Sequence, residues 1–318
     1  MNEKSDSIFC RYYATEPFVD RFLVEPEAVD VIIPVIHTNE LWENNLLSIY
    51  REIPVNRLLI GDGGCVDDSI EIATKFPRVQ VFDHREFKTL GYSLRHLIEA
   101  VETAWFVYLH SDVYLPDGWF EAMRGHQNQY DWFGCPMRHT IMVEYALPEK
   151  ERPYAGSQMG RKAAFQKSIE LIDDDYVYRQ EDFVLADLVE RAGFKHGKIE
   201  DTFHYHQTLH KPTPWSRKIE SVNIETKLSR EEEVRTWMMQ GKGIIKYLQP
   251  TQPWLTYNVS ESVARLFELG ELNSSNWPEF RQWVADTNPK WIPYLRKKQP
   301  LKSRLRGILS GLFHRIRG

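Results

Sequence analysis

The stretch FVYLHSDVYLPDGW (residues 106–119) decides how the chain is to be read. Val107, Tyr108 and Leu109 form a short apolar run with β-branched and aromatic members, the pattern of a buried strand end. His110 and Asp112 follow, two positions apart. In an extended chain their side chains face the same side, because strand side chains alternate. Pro116-Asp117-Gly118 then spells a turn. The segment alone leaves two readings open. One is a polar strand end before a turn. The other is a pair sharing a cation, since ligands of open α/β sheets sit just beyond the carboxyl ends of strands.

Outward from this stretch, apolar strand-like runs alternate with helical stripes. VDVIIPVI (29–36) reads as a buried first strand, and residues 38–52 carry apolar positions at helical spacing in Leu41, Leu46, Leu47 and Tyr50. VNRLLIGDGG (55–64) is a second strand ending in Asp-Gly-Gly, followed by a helix (68–76), a strand (78–84) and a helix (90–104). The alternation predicts βαβ units and a largely parallel sheet. Residues 131–146 read as irregular strands, and 160–171 and 181–193 as helices, the second closed by Gly193. After residue 215 the alternation stops. Ser229 and Glu232 spell a capping box opening a helix over 230–248, with further helices beyond. The expected organisation is an N-terminal arm (1–28), an α/β catalytic unit (29–215, in halves 29–120 and 121–215) and a helical region (216–318).

Bulk properties narrow the function. The chain has 318 residues, a net charge of -5, and 42% hydrophobic and 27% charged residues, a globular composition. Three widely separated cysteines argue against a disulfide framework and a thiolate metal site, and for a reducing compartment. The N-terminus lacks a basic-then-apolar leader pattern and no run reaches the roughly 18–20 apolar residues of a membrane span. A cytoplasmic protein is expected. An acidic chain without a binding motif argues against nucleic acid as a partner.

Four segments in order, VDVIIPVI, LLIGDGGCVDDSIEIA, LGYSLRHLIEAVETAWFVYLHSDVYLP and QEDFVLADLVERAGFK, resemble the GT-A glycosyltransferases, family 2 in particular, over roughly residues 29–206. The resemblance implies a Rossmann-like sheet flanked by helices. It also implies transfer of a sugar from a nucleotide-sugar to an acceptor, usually with inversion and usually with a divalent cation. It places Pro34 and Val35 along the nucleobase and Asp62 on a base N–H. The same carboxylate has a local reading, as a turn Asp satisfying nearby backbone N–H groups. The family's preceding Asp is Gly61 here. Arg95 matches an Arg that reaches phosphate, against the reading of a helix-surface Arg paired to Glu99.

HSD stands where the family has Asp-X-Asp, with Ser111 at the centre, Asp112 as the retained carboxylate and His110 in place of the first Asp. Imidazole suits Mn²⁺ better than Mg²⁺. The departure leaves three options: Mn²⁺, a weakly held metal, or a charge from His110 in the metal's place. Glu181-Asp182 matches the family's acidic pair, which makes Asp182 the general base. FHYHQTLH (203–210) supplies His206 as the metal ligand from the C-terminal side, with His204 as alternate, and Gly156, Ser157 and Arg161 match a loop lining the donor.

The tail LKSRLRGILSGLFHRIRG (301–318) places Leu301, Leu305, Ile308, Leu309, Leu312, Phe313 and Ile316 on one helical face, with no acid after Asp286. A basic amphipathic helix over 301–316 is expected to lie on an anionic membrane surface. The alternative is docking on the body or on a second subunit of a homodimer. The combined expectation is an inverting transferase, peripheral on the cytoplasmic membrane face, acting on a lipid-linked or polysaccharide acceptor. A retaining or a non-catalytic sugar-nucleotide-binding protein is the alternative.

Overall fold

The computed structural model describes residues 18–23, 27–38, 41–87, 89–139, 154–206 and 229–295, in two compact units. Of the described residues, the first holds those up to Asp175 and from Glu181 to His206, and the second holds Tyr176–Gln180 and those from Ser229 to Leu295.

The first unit is built on a seven-stranded sheet. Its strands are β1 (Val29–Val35), β2 (Val55–Asp62), β3 (Val79–Asp83), β4 (Trp105–Leu109), β6 (Trp132–Gly134), β8 (Ser157–Arg161) and β9 (His196–Lys198). They run in the order β3-β2-β1-β4-β8-β6-β9. The first four are mutually parallel; β8 is antiparallel to both its neighbours. β1 is central, so almost every side chain is buried, and an unbroken apolar run satisfies both faces. Pro34 has no N–H for a ladder. It comes after the pairing of β1 with β4 has ended at Ile32–Tyr108. The two strands therefore part at their carboxyl ends.

Helix α1 (Trp42–Glu52) buries Trp42, Leu46, Ile49 and Tyr50, one face at helical spacing, in a core shared with Val31, Ile33, Leu58, Ile60, Val107 and Leu109. Helices α2 (Ser69–Ala73) and α3 (Leu90–Ala100) complete the crossovers, and α4 (Trp119–Gly125) follows the turn in which Gly118 takes φ +77°. A three-stranded sheet sets β10 (His204–His206) between β5 (Val113–Tyr114) and β7 (Met137–His139). The helix expected over 160–171 is different: Ser157–Arg161 is strand, then come a single turn α5 (Lys162–Phe165) and a 3₁₀ turn at Ile169–Leu171. Helix α6 (Glu181–Arg191) is closed at Gly193, φ +85°.

The second unit packs α7 (Arg230–Tyr247), α8 (Pro253–Glu268) and α9 (Trp277–Thr287) with a 3₁₀ segment, Pro289–Tyr294. The capping box at Ser229 and Glu232 forms. Asn288 Nδ2 donates to the Ile245 and Leu248 carbonyls, and Trp291 Nε1 to Leu248, which answers acceptors that a helix end leaves unsatisfied. Among the described residues no helix is long and apolar enough to cross a membrane. The amphipathic stretch 301–316 lies outside the described residues.

Candidate active site

The carboxyl ends of β1, β2 and β4 carry the groups singled out in the sequence. Parallel register sets Pro34 beside Gly61 and Val35 beside Asp62. Gly63 N donates to the Val35 carbonyl at 2.7 Å, closing the turn after β2 against the end of β1. Asp62 Oδ1 accepts from the N–H groups of Gly64 and Cys65 at 2.9 and 2.8 Å. The local reading of Asp62 is thus realised, and it has a consequence. Burial works against ionisation, but the two N–H groups outweigh it and hold the carboxyl below its usual range, so Asp62 is a fixed acceptor. Gly61 is forced. A Cβ there would meet His84 Nδ1 at 2.4 Å, and that buried imidazole is bound by Ser93 Oγ and His96 Nδ1, both at 2.7 Å.

Beyond β4 the backbone pairing continues, with His110 N donating to the Gly156 carbonyl at 2.9 Å. Gly156 has φ +89°, and a Cβ there would lie 3.2 Å from His110 Nδ1 and 3.4 Å from the His206 ring. Both the conformation and the space call for glycine. His110 Nε2 lies 3.1 Å from Glu181 Oε1, and the Tyr108 hydroxyl donates to the same oxygen at 3.3 Å. Burial disfavours the imidazolium, yet the hydrogen bond and charge of Glu181, with Asp182 and Asp112 nearby, raise His110 to about 9. Glu181 is correspondingly held in the ionised form by His110 against the effect of burial. His110 is therefore one half of an ion pair.

Asp182, the next residue on the first turn of α6, is raised to about 7. Burial is the main cause and the Glu181 charge the next; His110, the Gln158 amide and the Gly156 N–H pull the other way. Gln158 Nε2 donates to Asp182 Oδ1. The residue before the pair, Gln180, takes φ +63°, an uncommon conformation for a side chain-bearing residue and one that recurs at functional sites.

Asp112 meets His206 through the small sheet. β10 pairs with β5 so that His206 stands opposite Val113, the residue after Asp112, and His206 Nε2 lies 3.4 Å from Asp112 Oδ1. Two ligands at about 2.1 Å in adjacent positions of an octahedron are about 3 Å apart, so the pair fits a divalent cation with little movement. One carboxylate and one imidazole suit Mn²⁺ better than Mg²⁺. His110 belongs to the same group of atoms within 4.8 Å of one another. Its Nε2 also meets Glu181, and His110, Glu181 and Asp182 form a second group with the same spacing.

The remaining expectations divide. Ser111 lies in the turn beside Asp112, its carbonyl accepting from Asn45 Nδ2 at 2.9 Å. Ser157 is buried with its hydroxyl on His204 Nδ1 at 2.7 Å, so it supports the cleft rather than lining it. For the same reason His204, fully buried, does not join the ligand pair. Arg161 is corrected by register: it pairs opposite Trp105 at the amino end of β4, four residues from the end where Ser157 faces Leu109, and it holds Asp131. Arg95 binds Glu99 Oε1 at 3.0 Å and the Ile172 carbonyl at 2.8 Å, the helix-surface reading. Three contributors were not anticipated. Tyr108 was accessible, since it sits two positions before His110 on the same strand face. Gln158 depended on β8 being a strand. His37 is buried enough to disfavour its charge, with Asp67 and Asp112 acting oppositely, which sets it within electrostatic reach of the ligand pair.

A mostly parallel sheet flanked by helices, with an Asp–His pair and an acidic pair at a helix start near its carboxyl ends, is the GT-A arrangement. Residues 30–181 match the family model described as glycosyl transferase family 2. None of the curated proteins matches the chain. Among solved structures, S. aureus TarS 1-349 in complex with UDP-GlcNAc is similar at 12% identity, over 81% of this chain and 80% of that one, with a TM-score of 0.48. The mannosyltransferase PcManGT from Pyrobaculum calidifontis, in complex with GDP-Man and Mn2+, is similar at 14% identity over 90% and 91%, TM-score 0.48. Glucosyl-3-phosphoglycerate synthase from Mycobacterium tuberculosis, with Mn2+ and UDP-Glc, is similar at 16% identity over 65% and 80%, TM-score 0.43. Residues 30–181 belong to glycosyltransferase family 2, and the protein is a glycosyltransferase.

Proposed function

We propose that the enzyme transfers a sugar from a nucleoside diphosphate sugar to an acceptor hydroxyl with inversion, and that Asp182 is the general base. The observation that carries this is Asp182 itself, a half-buried carboxyl raised to about 7 and aimed by Gln158 and the Gly156 N–H. A base with a pKa near the working pH is suited to take the acceptor proton as the sugar carbon is attacked. The neighbouring His110–Glu181 ion pair keeps a second negative charge from adding fully to that of Asp182.

The nucleoside lies at the ends of β1 and β2, along Pro34 and Val35, with ionised Asp62 accepting from a base N–H. Ile36 and Val66, 60% and 66% exposed beside that turn, give the base an apolar wall. Asp112 and His206 hold a divalent cation, Mn²⁺ by ligand type, next to the diphosphate. Such a cation, when bound, neutralises the leaving diphosphate. The test is a thermal-shift series against UDP, GDP, dTDP and CMP with and without Mn²⁺, on the wild type and Asp112→Ala, since ligands of the native state raise its melting temperature. One nucleotide should stabilise the wild type in a Mn²⁺-dependent way and not the variant. A Mn²⁺-dependent shift that survives in Asp112→Ala rules out the ligand pair.

The acceptor we infer is lipid-linked or a polysaccharide precursor, with the basic amphipathic stretch 301–316 resting on an anionic membrane surface. Each basic residue near such a leaflet contributes about 1 kcal/mol, screened over about 8 Å at physiological salt. Replacing Lys302, Arg304, Arg306, Arg315 and Arg317 by Gln should abolish salt-sensitive binding to phosphatidylglycerol vesicles and leave nucleotide binding intact. Vesicle binding unchanged by those replacements would refute the membrane role.

A further inference from the structure

Two halves of the cleft reach it on different strands. The base side comes through β8: Gly156 takes the His110 N–H on its carbonyl and gives its own N–H to Asp182, and Gln158 donates to Asp182. The cation side comes through β10, where His206 faces Asp112. These two strands belong to different sheets. Between Gly156 and Gln158 sits Ser157. Two positions before His206, on the same strand face, sits His204. Ser157 Oγ and His204 Nδ1 are 2.7 Å apart, and both residues are fully buried. The Cys135 thiol flanks the bond at 3.4 and 3.7 Å from the two atoms and accepts from Trp119 Nε1 at 3.3 Å, anchoring the contact to the core.

We propose that the Ser157–His204 hydrogen bond is the positioning contact that fixes His206, and with it the cation side, relative to the Gly156–Gln158 segment that aims the base. What the two sides do rests on the function proposed above; that the bond sets their separation rests on geometry alone. A buried hydrogen bond between two strands of different sheets is a short, directional link. A Cβ at Gly156 would already lie 3.2 Å from His110 and 3.4 Å from His206, so there is little spare room between the two sides there. Loosening the link lets β10 shift along β5, and His206 moves with it away from Asp112. Partners that orient a metal-bound histidine typically change metal affinity roughly 10–100-fold when removed.

The experiment uses the full chain with four changes: Ser157→Ala, His204→Phe, His204→Asn, and Ser157→Ala combined with His204→Phe. Asn keeps a polar group near the Nδ1 position; Phe keeps the ring volume without it. Two readouts are taken. One is the ring NMR signals of His206 in metal-free protein, assigned by their loss in His206→Gln. The other is nucleoside diphosphate affinity in Mn²⁺ and in EDTA. Ser157→Ala, which removes one oxygen atom from a buried site, and His204→Phe should each move the His206 signals. Each should also weaken Mn²⁺-dependent binding roughly 10–100-fold. His204→Asn should stay within a few-fold of wild type. The double variant should be no worse than the worse single, because both remove one bond. Unchanged His206 signals in Ser157→Ala, or losses that add in the double variant, overturn the proposal. A wild type whose nucleotide affinity ignores Mn²⁺ refutes the cation reading instead, and the His206 signals then decide the positioning role by themselves.

Discussion

Asp182 is pulled in two directions by its own surroundings, and the balance is what a base requires. Burial and Glu181 disfavour its charge, while Gln158, the Gly156 N–H and His110 favour it. Asp182→Asn keeps the size and removes the basicity. Turnover should fall by about 10²–10⁴, the range for general acid–base catalysis, with the donor KM nearly unchanged. Steady-state kinetics on the two variables decide it: an equal loss of donor affinity marks Asp182 as a donor contact instead. Gly61 is the counterpart on the nucleotide side. The family carboxylate it replaces cannot be restored by Gly61→Asp, because the new Cβ would fall 2.4 Å from His84 Nδ1. That change should destabilise by about 1–3 kcal/mol in urea unfolding, the usual cost of overpacking. Neither fact about these residues was visible in sequence. Asp182 could be named from its place in a motif, but its hydrogen-bond partner Gln158 lies 24 positions away. The reason Gly61 is glycine is a histidine brought in from the next strand.

Elements with a strong local signature were legible, and those without were not. The stripe of α1, the unbroken apolar run of β1, the Ser229–Glu232 box and the Gly193 stop each declare themselves through periodicity or capping chemistry. β8 does not. SQMGR has no β-branched residue and a glycine, and it is strand because β4 and β6 flank it. Gly160 is needed there, since a Cβ would strike the Trp132 ring at 2.6 Å. Inside α7 the two glycines Gly241 and Gly243 cost helix propensity of about 1 kcal/mol each, so their presence needs a packing reason. For Gly241 the nearest obstacle to a Cβ is the Ser262 side chain at 3.1 Å, whereas for Gly243 it is the Tyr176 backbone carbonyl at 2.0 Å. Gly241→Ala should therefore change stability little, the gain in propensity offsetting a tight contact. Gly243→Ala should destabilise by more than about 1 kcal/mol, because backbone must move. Urea unfolding followed by helical circular dichroism separates the two, and equal effects would mean that Tyr176 does not pack against α7 in solution.

At the scale of the whole molecule, groups shifted in opposite directions pull stability against pH in opposite senses, which couples the active site to the fold. His84 is lowered from 6.5 to about 4, by burial first and by His96 second. Its contribution is complete above pH 6.5 and is lost as pH falls through 4, since the unfolded chain takes up the proton more readily. Asp182 is raised from 3.8 to about 7, so its contribution is complete below pH 3.8 and is lost as pH rises through 7. Between pH 4 and 6.5 the two slopes have opposite signs and partly cancel. Above that window His110 takes over: raised from 6.5 to about 9, it stabilises fully below pH 6.5 and progressively less towards 9. His37 and His196, also lowered by burial, act in the same sense as His84, so in metal-free buffer the wild type should lose some stability from pH 6.5 to 4.5 and weaken again from pH 7 towards 9. Asp182→Asn removes one of the opposing slopes and should make stability fall more steeply on acidification. His84→Phe removes the largest part of the other and should make the fall on acidification shallower, whatever its absolute loss. Urea unfolding free energies at stepped pH measure all three slopes. If Asp182→Asn leaves the acid slope at its wild-type value, the native carboxyl is not held protonated near neutrality, and its assignment as a base tuned by burial fails with it.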